Sequence, residues 1–471
     1  MALSADGTTL AVGAHDEDSN ATGIDGDQTD NSAYGAGAVY VFIRDSAGNW
    51  MQQAYIKASN AEGVNDPSLS YTADHFGFSV DLSADGNTLV VGARGEDSAA
   101  TTINGLQGND GDNNGAAYVF VRDAAGNWTE QAYIKPSTST RGTRFGVSVS
   151  LSSDGNTLAV GANTYGNIPF SGTRGTGAAF VFVRDTAGTW TEQAFLRAAN
   201  RDDHDNFGLS VALSGDGNTL AVGATLEDSA ATGINSGLTA DNTAADSGAA
   251  YVFVRDGAGA WSQQAYVKAS NTGAGDNFGH AIALNGDGST LVVGASREDS
   301  AGTGVNNASQ GDDSAADSGA AYVFVRDAMN VWTQQAYIKA SNTGAGDLFG
   351  GTQAAATETH GSIGLSADGN TLVIGAPGEA SSATGIGGNA SDDSLPNSGA
   401  AYVFTRNGAT WTQQAYVKAS SATPWLGDQI SLSADGNTLA AGSPLNKSNA
   451  TGVGGDQSDT SAFGAGAVFL Y

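Results

Sequence analysis

The stretch Phe207–Ala224, FGLSVALSGDGNTLAVGA, is written almost unchanged from Phe76, from Phe145 and from Phe278. An Asp-Gly pair lies at its centre and recurs at Asp6, Asp85, Asp154, Asp216, Asp287, Asp368 and Asp435, spaced 62 to 81 residues apart. Seven copies of one unit restrict a chain to a closed or stacked body, because a single copy cannot bury its apolar face alone. Length by itself would suggest about three domains. The repeat instead predicts one domain over residues 1–471.

Each unit divides into four strand-length segments. In the fourth unit they are Leu209–Ser214, Thr219–Ala224, Ala249–Arg255 and Trp261–Lys268. An Asp-Gly-Asn turn joins the first two, and its chemistry reads as a type I′ hairpin. A long polar loop leads to the third, and Asp-Gly-Ala-Gly joins the third to the fourth. The chain has 67 Gly, 7 Pro and no 3.6-residue periodicity, as an all-β protein would. The fold class predicted is all-β, a seven-bladed β-propeller of four-stranded antiparallel blades. Small residues in the second segment suit the crowded axis, and the Trp-bearing fourth segment is expected outermost, with its Trp and Tyr packing blade against blade. That fourth segment begins at Trp50, Trp128, Trp190, Trp261, Trp332 and Trp411, only six times, while the seventh unit stops at GAVFLY. Either the last blade has three strands or the native chain continues.

These units resemble FG-GAP repeats, the unit of the integrin α-subunit propeller. Phe-Gly stands at Phe76, Phe145, Phe207, Phe278 and Phe349, and a full Gly-Ala-Pro at Gly375–Pro377. EDSAATGIN and DSGAAYVFVRD are similar to tandem FG-GAP proteins of bacteria. The resemblance covers essentially the whole chain and implies a secreted or cell-surface binding or adhesion protein. It also implies a calcium hairpin of the form D-x-[DN]-x-D-G-x-x-D, from which this chain departs. In the fourth unit those places hold Ala212, Ser214, Asp216, Gly217 and Leu220. Only one carboxylate remains there, and Asp81 restores a second in one copy; Ca²⁺ takes six to eight oxygens.

The long loops are the better calcium candidates. Formal charge is -30, from 49 acids against 19 basic residues. Twelve of the basic residues occupy two fixed repeat positions: Arg44, Arg122, Arg184, Arg255, Arg326 and Arg406, then Lys57, Lys135, Arg197, Lys268, Lys339 and Lys418. The acids concentrate in the loops, which open with Glu-Asp-Ser at Glu17, Glu96, Glu227 and Glu298 and carry a second acidic cluster later. Two clusters brought together could supply carboxylates and carbonyls to Ca²⁺. The candidate ligands are Asp18, Asp25, Asp27, Asp97, Asp110, Asp112, Asp228, Asp241, Asp246, Asp299, Asp312 and Asp313; the alternative is a set of solvated polar loops. The third unit breaks the pattern with NTYGNIPFSGTRGTG, which lacks acids, and Tyr165, Phe170 and Arg174 form a candidate recognition patch there.

The acidity disfavours nucleic acid and anionic membrane as partners. No apolar run is long enough for a membrane span. Absence of cysteine removes disulfides and thiolate chemistry. No signal peptide is visible, and Met1 opens almost directly into a repeat, as in a trimmed or mature fragment. His15, His75, His204, His280 and His360 occupy unrelated places, although His75 and His204 adjoin Asp74, Asp203 and Asp205. No G-x-S-x-G, H-E-x-x-H or Walker motif is present. The expectation is therefore a non-catalytic extracellular or cell-surface module that binds a protein or glycan through loops on one propeller face, with Ca²⁺ as its candidate cofactor. A structural subunit of a surface layer or appendage, and a propeller hydrolase or lyase, are the alternatives.

Overall fold

The computed structural model describes residues 1–66, 72–110, 113–166, 175–236, 241–352, 361–421, 423–462 and 464–471. Among these residues there is no α-helix, and 27 strands form seven antiparallel sheets. Six sheets have four strands in chain order, and the last has three, Gln429–Leu432, Leu439–Ser443 and Ala467–Leu470. The fold is the all-β, seven-bladed β-propeller predicted, with one blade a strand short. Contacts divide the chain into two units, one of Met1–Asn218 with Arg255–Ser262, the other of Thr219–Val254 with Gln263–Tyr471.

The second blade shows how sequence sets the strands. Its first strand is Phe76–Leu82, its second Thr88–Ala93, its third Ala116–Arg122 and its fourth Trp128–Ile134. The second strand, TLVVGA, is buried at every position, as an apolar run covered on both faces must be. The fourth is an edge strand, exposed at Thr129 and half-buried at Glu130 and Gln131. The long loop protects such edges. In four blades an apolar loop residue bridges to the fourth strand: Ile24 to Ile56, Ile234 to Val267, Val305 to Ile338 and Ile386 to Val417.

The Asp-Gly turn differs in type from the one expected. Asp85 does not have a positive φ; only Gly86 does, at 65°, and the Gly86 N–H donates to the Ser83 carbonyl. This is a type I turn closed by a left-handed glycine, not type I′. The reason is the Asp carboxylate, which accepts from Ser83 Oγ at 2.6 Å and from the Asn87 N–H at 3.0 Å. Those bonds fold the turn from within.

Neighbouring blades meet through glycine backbone. A Cβ on Gly92, the glycine of Gly-Ala in the second blade, would lie 2.0 Å from the carbonyl oxygen of Gly146, the glycine of Phe-Gly in the third. Gly161 meets the Gly208 oxygen in the same way at 1.9 Å. Phe145, fully buried, wedges beside this contact against Phe180 and Phe182, at ring separations of 5.5 and 5.9 Å. Farther out, a polar clamp crosses the junction. Arg122 Nη1 and Trp128 Nε1 both donate to Gln53 Oε1 of the preceding blade, at 3.0 and 3.1 Å. Arg184 with Trp190 grips Gln131 likewise, and Arg406 with Trp411 grips Gln335.

Gly92→Ala is therefore expected to lower stability by about 3 kcal/mol or more in chemical denaturation, because rigid backbone must move. Gly311→Ala, where nothing lies within 4 Å, should stay within about 0.5 kcal/mol. Equal effects of the two would refute the close-approach explanation.

Candidate functional site

Each long loop is rooted in a buried ionic network. In the second blade Lys135 Nζ donates to Glu96 Oε2 at 2.7 Å and to the carbonyls of Ser98 and Gly115. Tyr133 OH donates to Glu96 Oε1 at 2.6 Å. Asn60 of the preceding blade donates to the same carboxylate at 3.1 Å and accepts from Tyr118 OH. Both Glu96 and Lys135 are only 1% exposed. Burial lowers the pKa of Lys135, while the Glu96 charge raises it; burial and Glu96 together push the Tyr133 hydroxyl far up. The network recurs as Glu227–Lys268–Tyr266, Glu298–Lys339–Tyr337 and Glu379–Lys418–Tyr416, and its ion pair recurs as Glu17–Lys57. Sequence reading noticed both repeating positions, Glu at the loop root and Lys after the fourth strand, but did not pair them. Their shared period was the available signal.

The candidate metal ligands hold the loops together. Asp18, Asp97, Asp228 and Asp299 each accept through Oδ1 from a backbone N–H across the loop, of Gly35, Asn113, Asp246 and Asp317 respectively, at 2.6 to 2.9 Å. Asp25 Oδ1 accepts from the Tyr55 N–H, and Asn104, Asn235 and Asn306 do the same for Tyr133, Tyr266 and Tyr337. An amide serves that place as well as a carboxylate, so charge is not what the position requires. Asp27 and Asp241 close local turns on Thr29 and Thr243, and Asp110 accepts from the Ala99 N–H. Asp246 takes a positive φ and offers its backbone carbonyl to Asn277, while Asp312 and Asp313 are exposed. Asp112 lies outside the described residues. Among those described, no group of three or more His, Asp or Glu is placed to hold a metal ion.

Of the recognition patch, Phe170 and Arg174 lie outside the described residues, as does His360. Tyr165 occupies the place that Glu96 has in the second blade. Its ring packs 5.1 Å from Phe195, and the Arg197 guanidinium stands 5.7 Å over it. Thus Tyr165, Phe195 and Arg197 replace Glu, Tyr and Lys together.

A second constellation joins the first two blades. Asp16 stands between two imidazoles, with His75 Nδ1 at 3.3 Å from Oδ1 and His15 Nε2 at 3.5 Å from Oδ2. The bond from His75, with the charges of both histidines and Arg94, holds Asp16 down at about 2 despite partial burial. Arg94 lies 3.9 Å over the Phe78 ring. His75 thus pairs with Asp16 rather than with its sequence neighbour Asp74, whose carboxylate accepts from the Glu62 N–H.

The FG-GAP repeat pattern matches residues 50–120, 128–182, 190–253 and 261–324, more than half of the chain. The chain belongs to the FG-GAP repeat family. No curated protein matches it. Among solved structures it is similar to a candidate 6-phosphogluconolactonase of Bacteroides uniformis, at 12% identity and a TM-score of 0.45, over 88% of this chain and 86% of that one. It is also similar to a periplasmic gluconolactonase of Pseudomonas aeruginosa, at 15% identity and a TM-score of 0.48, over 89% and 85% of the two chains. A candidate 6-phosphogluconolactonase of Bacteroides fragilis gives 12% and 0.46, over 88% and 84%. The expectation of a non-catalytic chain is corrected on this finding, because these similar structures carry lactonase descriptions. At such low identity and TM-score the likeness reaches no substrate and no residue of this chain.

Acidic connectors give the fold a pH signature. Burial, with neighbouring carboxylates, raises Asp276 and Asp347 to about 7. A raised carboxylate pKa means that the folded state holds the proton more tightly, so stability is lost as pH climbs from about 4 towards 7. Asp16 and the turn aspartates, Asp435 among them, are lowered, so they lose stability as pH falls below about 4. Melting temperature should therefore peak on the acid side, between about pH 4 and 6, and Asp276→Asn with Asp347→Asn should flatten the upper limb. A maximum above pH 7 in the unsubstituted chain would contradict this assignment.

Proposed function

We propose that the chain is an extracellular or cell-surface recognition module that binds a protein or glycan through the long loops between its second and third strands. The observation that supports this most is loop preorganisation. Loops of this length ordinarily lose much entropy on binding. Here the root is an ion pair buried against Tyr and backbone carbonyls, and the interior is stapled by Asp side chains. Outward positions are left for contact, including Leu106, Ile386 and Val453, which are 89%, 65% and 54% exposed. Rigid loops on a rigid scaffold are what a binding surface needs.

The test is a glycan microarray, together with a pull-down from extracellular extracts, using the full chain. The triple substitution Leu106→Asp, Ile386→Asp, Val453→Asp should abolish the binding found and leave the melting temperature within a degree or two. Binding that survives the triple substitution would overturn the loop assignment. Polymerisation with rising concentration and no captured ligand would instead favour a surface-layer subunit.

One observation favours a second reading, hydrolysis. Asp16 orients two imidazoles, as a carboxylate does for a general base, and Arg94 stands near enough to meet an anionic substrate. Turnover of an ester or lactone panel that disappears in Asp16→Asn would support this reading. Turnover unchanged by Asp16→Asn would remove it.

A further inference from the structure

The third blade departs from the repeat at five places at once. Where the second, fourth, fifth and sixth blades have an Asn that follows the preceding blade's fourth strand, the root Glu, two network Tyr and the Lys, it has Thr138, Tyr165, Phe180, Phe195 and Arg197. The acceptor is gone and so are the hydroxyls that served it, yet the cation is kept as arginine. Arg197 Nη2 donates to Thr176 Oγ1, while its Nε is buried without an acceptor among the described residues. Burial, and after it the neighbouring charge of exposed Arg201, lowers the Arg197 pKa. Phe195 is 40% exposed, where the equivalent Tyr133 is 2%. It is fixed from beneath by Phe180 and Tyr165, at 5.0 and 5.1 Å. Exposed Arg141 stands on a turn that packs against the Tyr165 loop, through Thr164 Oγ1 to the Gly142 carbonyl and the Gly166 N–H to Thr140 Oγ1.

Charge distribution points the same way. Of the seven basic residues outside the two repeat positions, four lie between Arg141 and Arg201. In a chain of charge -30 that is a local reversal of sign. Arginine matches the planar oxygens of carboxylates and the fork geometry of related oxyanions. A half-exposed aromatic ring held rigid offers an apolar face for a pyranose ring beside them.

We infer that this surface of the third blade binds an anionic glycan, its sulfate or carboxylate groups on Arg201 and Arg197 and a sugar ring on Phe195. The inference rests on the recognition reading and narrows it to one blade and one ligand charge. Asp202 and Asp203, exposed directly after Arg201, bound the patch.

The experiment is calorimetry on the full chain with short dextran sulfate, alginate oligosaccharides, neutral dextran and polyglutamate. Binding is expected for dextran sulfate or alginate, the two arms separating sulfate from carboxylate recognition, and none for neutral dextran. Arg201→Ala and Phe195→Ala should each weaken it about tenfold, a loss typical of a charge-assisted contact or a buried ring. Added salt should weaken it as well. Asp202→Asn with Asp203→Asn should tighten it, and Lys447→Ala, remote in sequence, should leave it unchanged. Melting curves confirm that each variant is folded. Binding to neither anionic glycan, equal binding to polyglutamate, or indifference to both Arg201→Ala and Phe195→Ala overturns the inference. If these variants are silent while the Leu106, Ile386 and Val453 loops still capture a ligand, the recognition reading stands and this one falls.

Discussion

The ion pair between the root glutamate and the lysine after the fourth strand is the contact on which the loops depend. Two charges taken out of water cost several kcal/mol each, and mutual attraction offsets that only when every remaining donor and acceptor is used. In the second blade they are: Lys135 spends three protons on Glu96 and two backbone carbonyls, and Glu96 receives Tyr133 and Asn60 as well. Because Ser98 and Gly115 lie at the two ends of the loop, one ammonium closes it. Because Asn60 comes from the preceding blade, the same carboxylate also crosses a junction.

The exceptions obey the same physics. The third blade loses the glutamate and loses both hydroxyls with it, since a buried Tyr OH without an acceptor is costly. The seventh has Asn446 at the glutamate position, Phe469 at the third-strand tyrosine and Ser421 at the connector asparagine. There Ser421 Oγ is left buried without a partner among the described residues. In both blades the loss of the glutamate goes with the loss of the tyrosine hydroxyls that served it. The third blade is conspicuous, for it dismantled the network and kept the cation.

Much of the fold was legible because its signals are local and repeated seven times. Strand boundaries, the Asp-Gly turns and the Trp-bearing edge strand all follow from segment length, turn residues and the spacing of Trp. The turn type was not legible: the Ser83 hydroxyl and the Asp85 carboxylate decide it, and a dipeptide rule ignores both. The site was harder to read. Glu96 and Lys135 are 39 residues apart, and composition could not distinguish a buried glutamate from the surface aspartates beside it. Loop aspartates read as metal-ligand candidates because Asx staples and calcium loops draw on the same residue type. Asn104 standing where Asp25 stands was the clue that charge is dispensable there. His75 was matched to its chain neighbour, when the fold brings Asp16 to it from another blade.

A double-mutant cycle on Glu96 and Lys135 tests the central claim most directly. Glu96→Gln and Lys135→Met should each destabilise by about 3–5 kcal/mol, because each leaves a buried charge uncompensated. The double variant should cost far less than their sum, giving a coupling of several kcal/mol, with hydrogen exchange accelerated in residues 96–115 of both singles. Singles within about 1 kcal/mol of the unsubstituted chain, or strictly additive effects, would contradict the account and make the pair an ornament of the loops instead of their root.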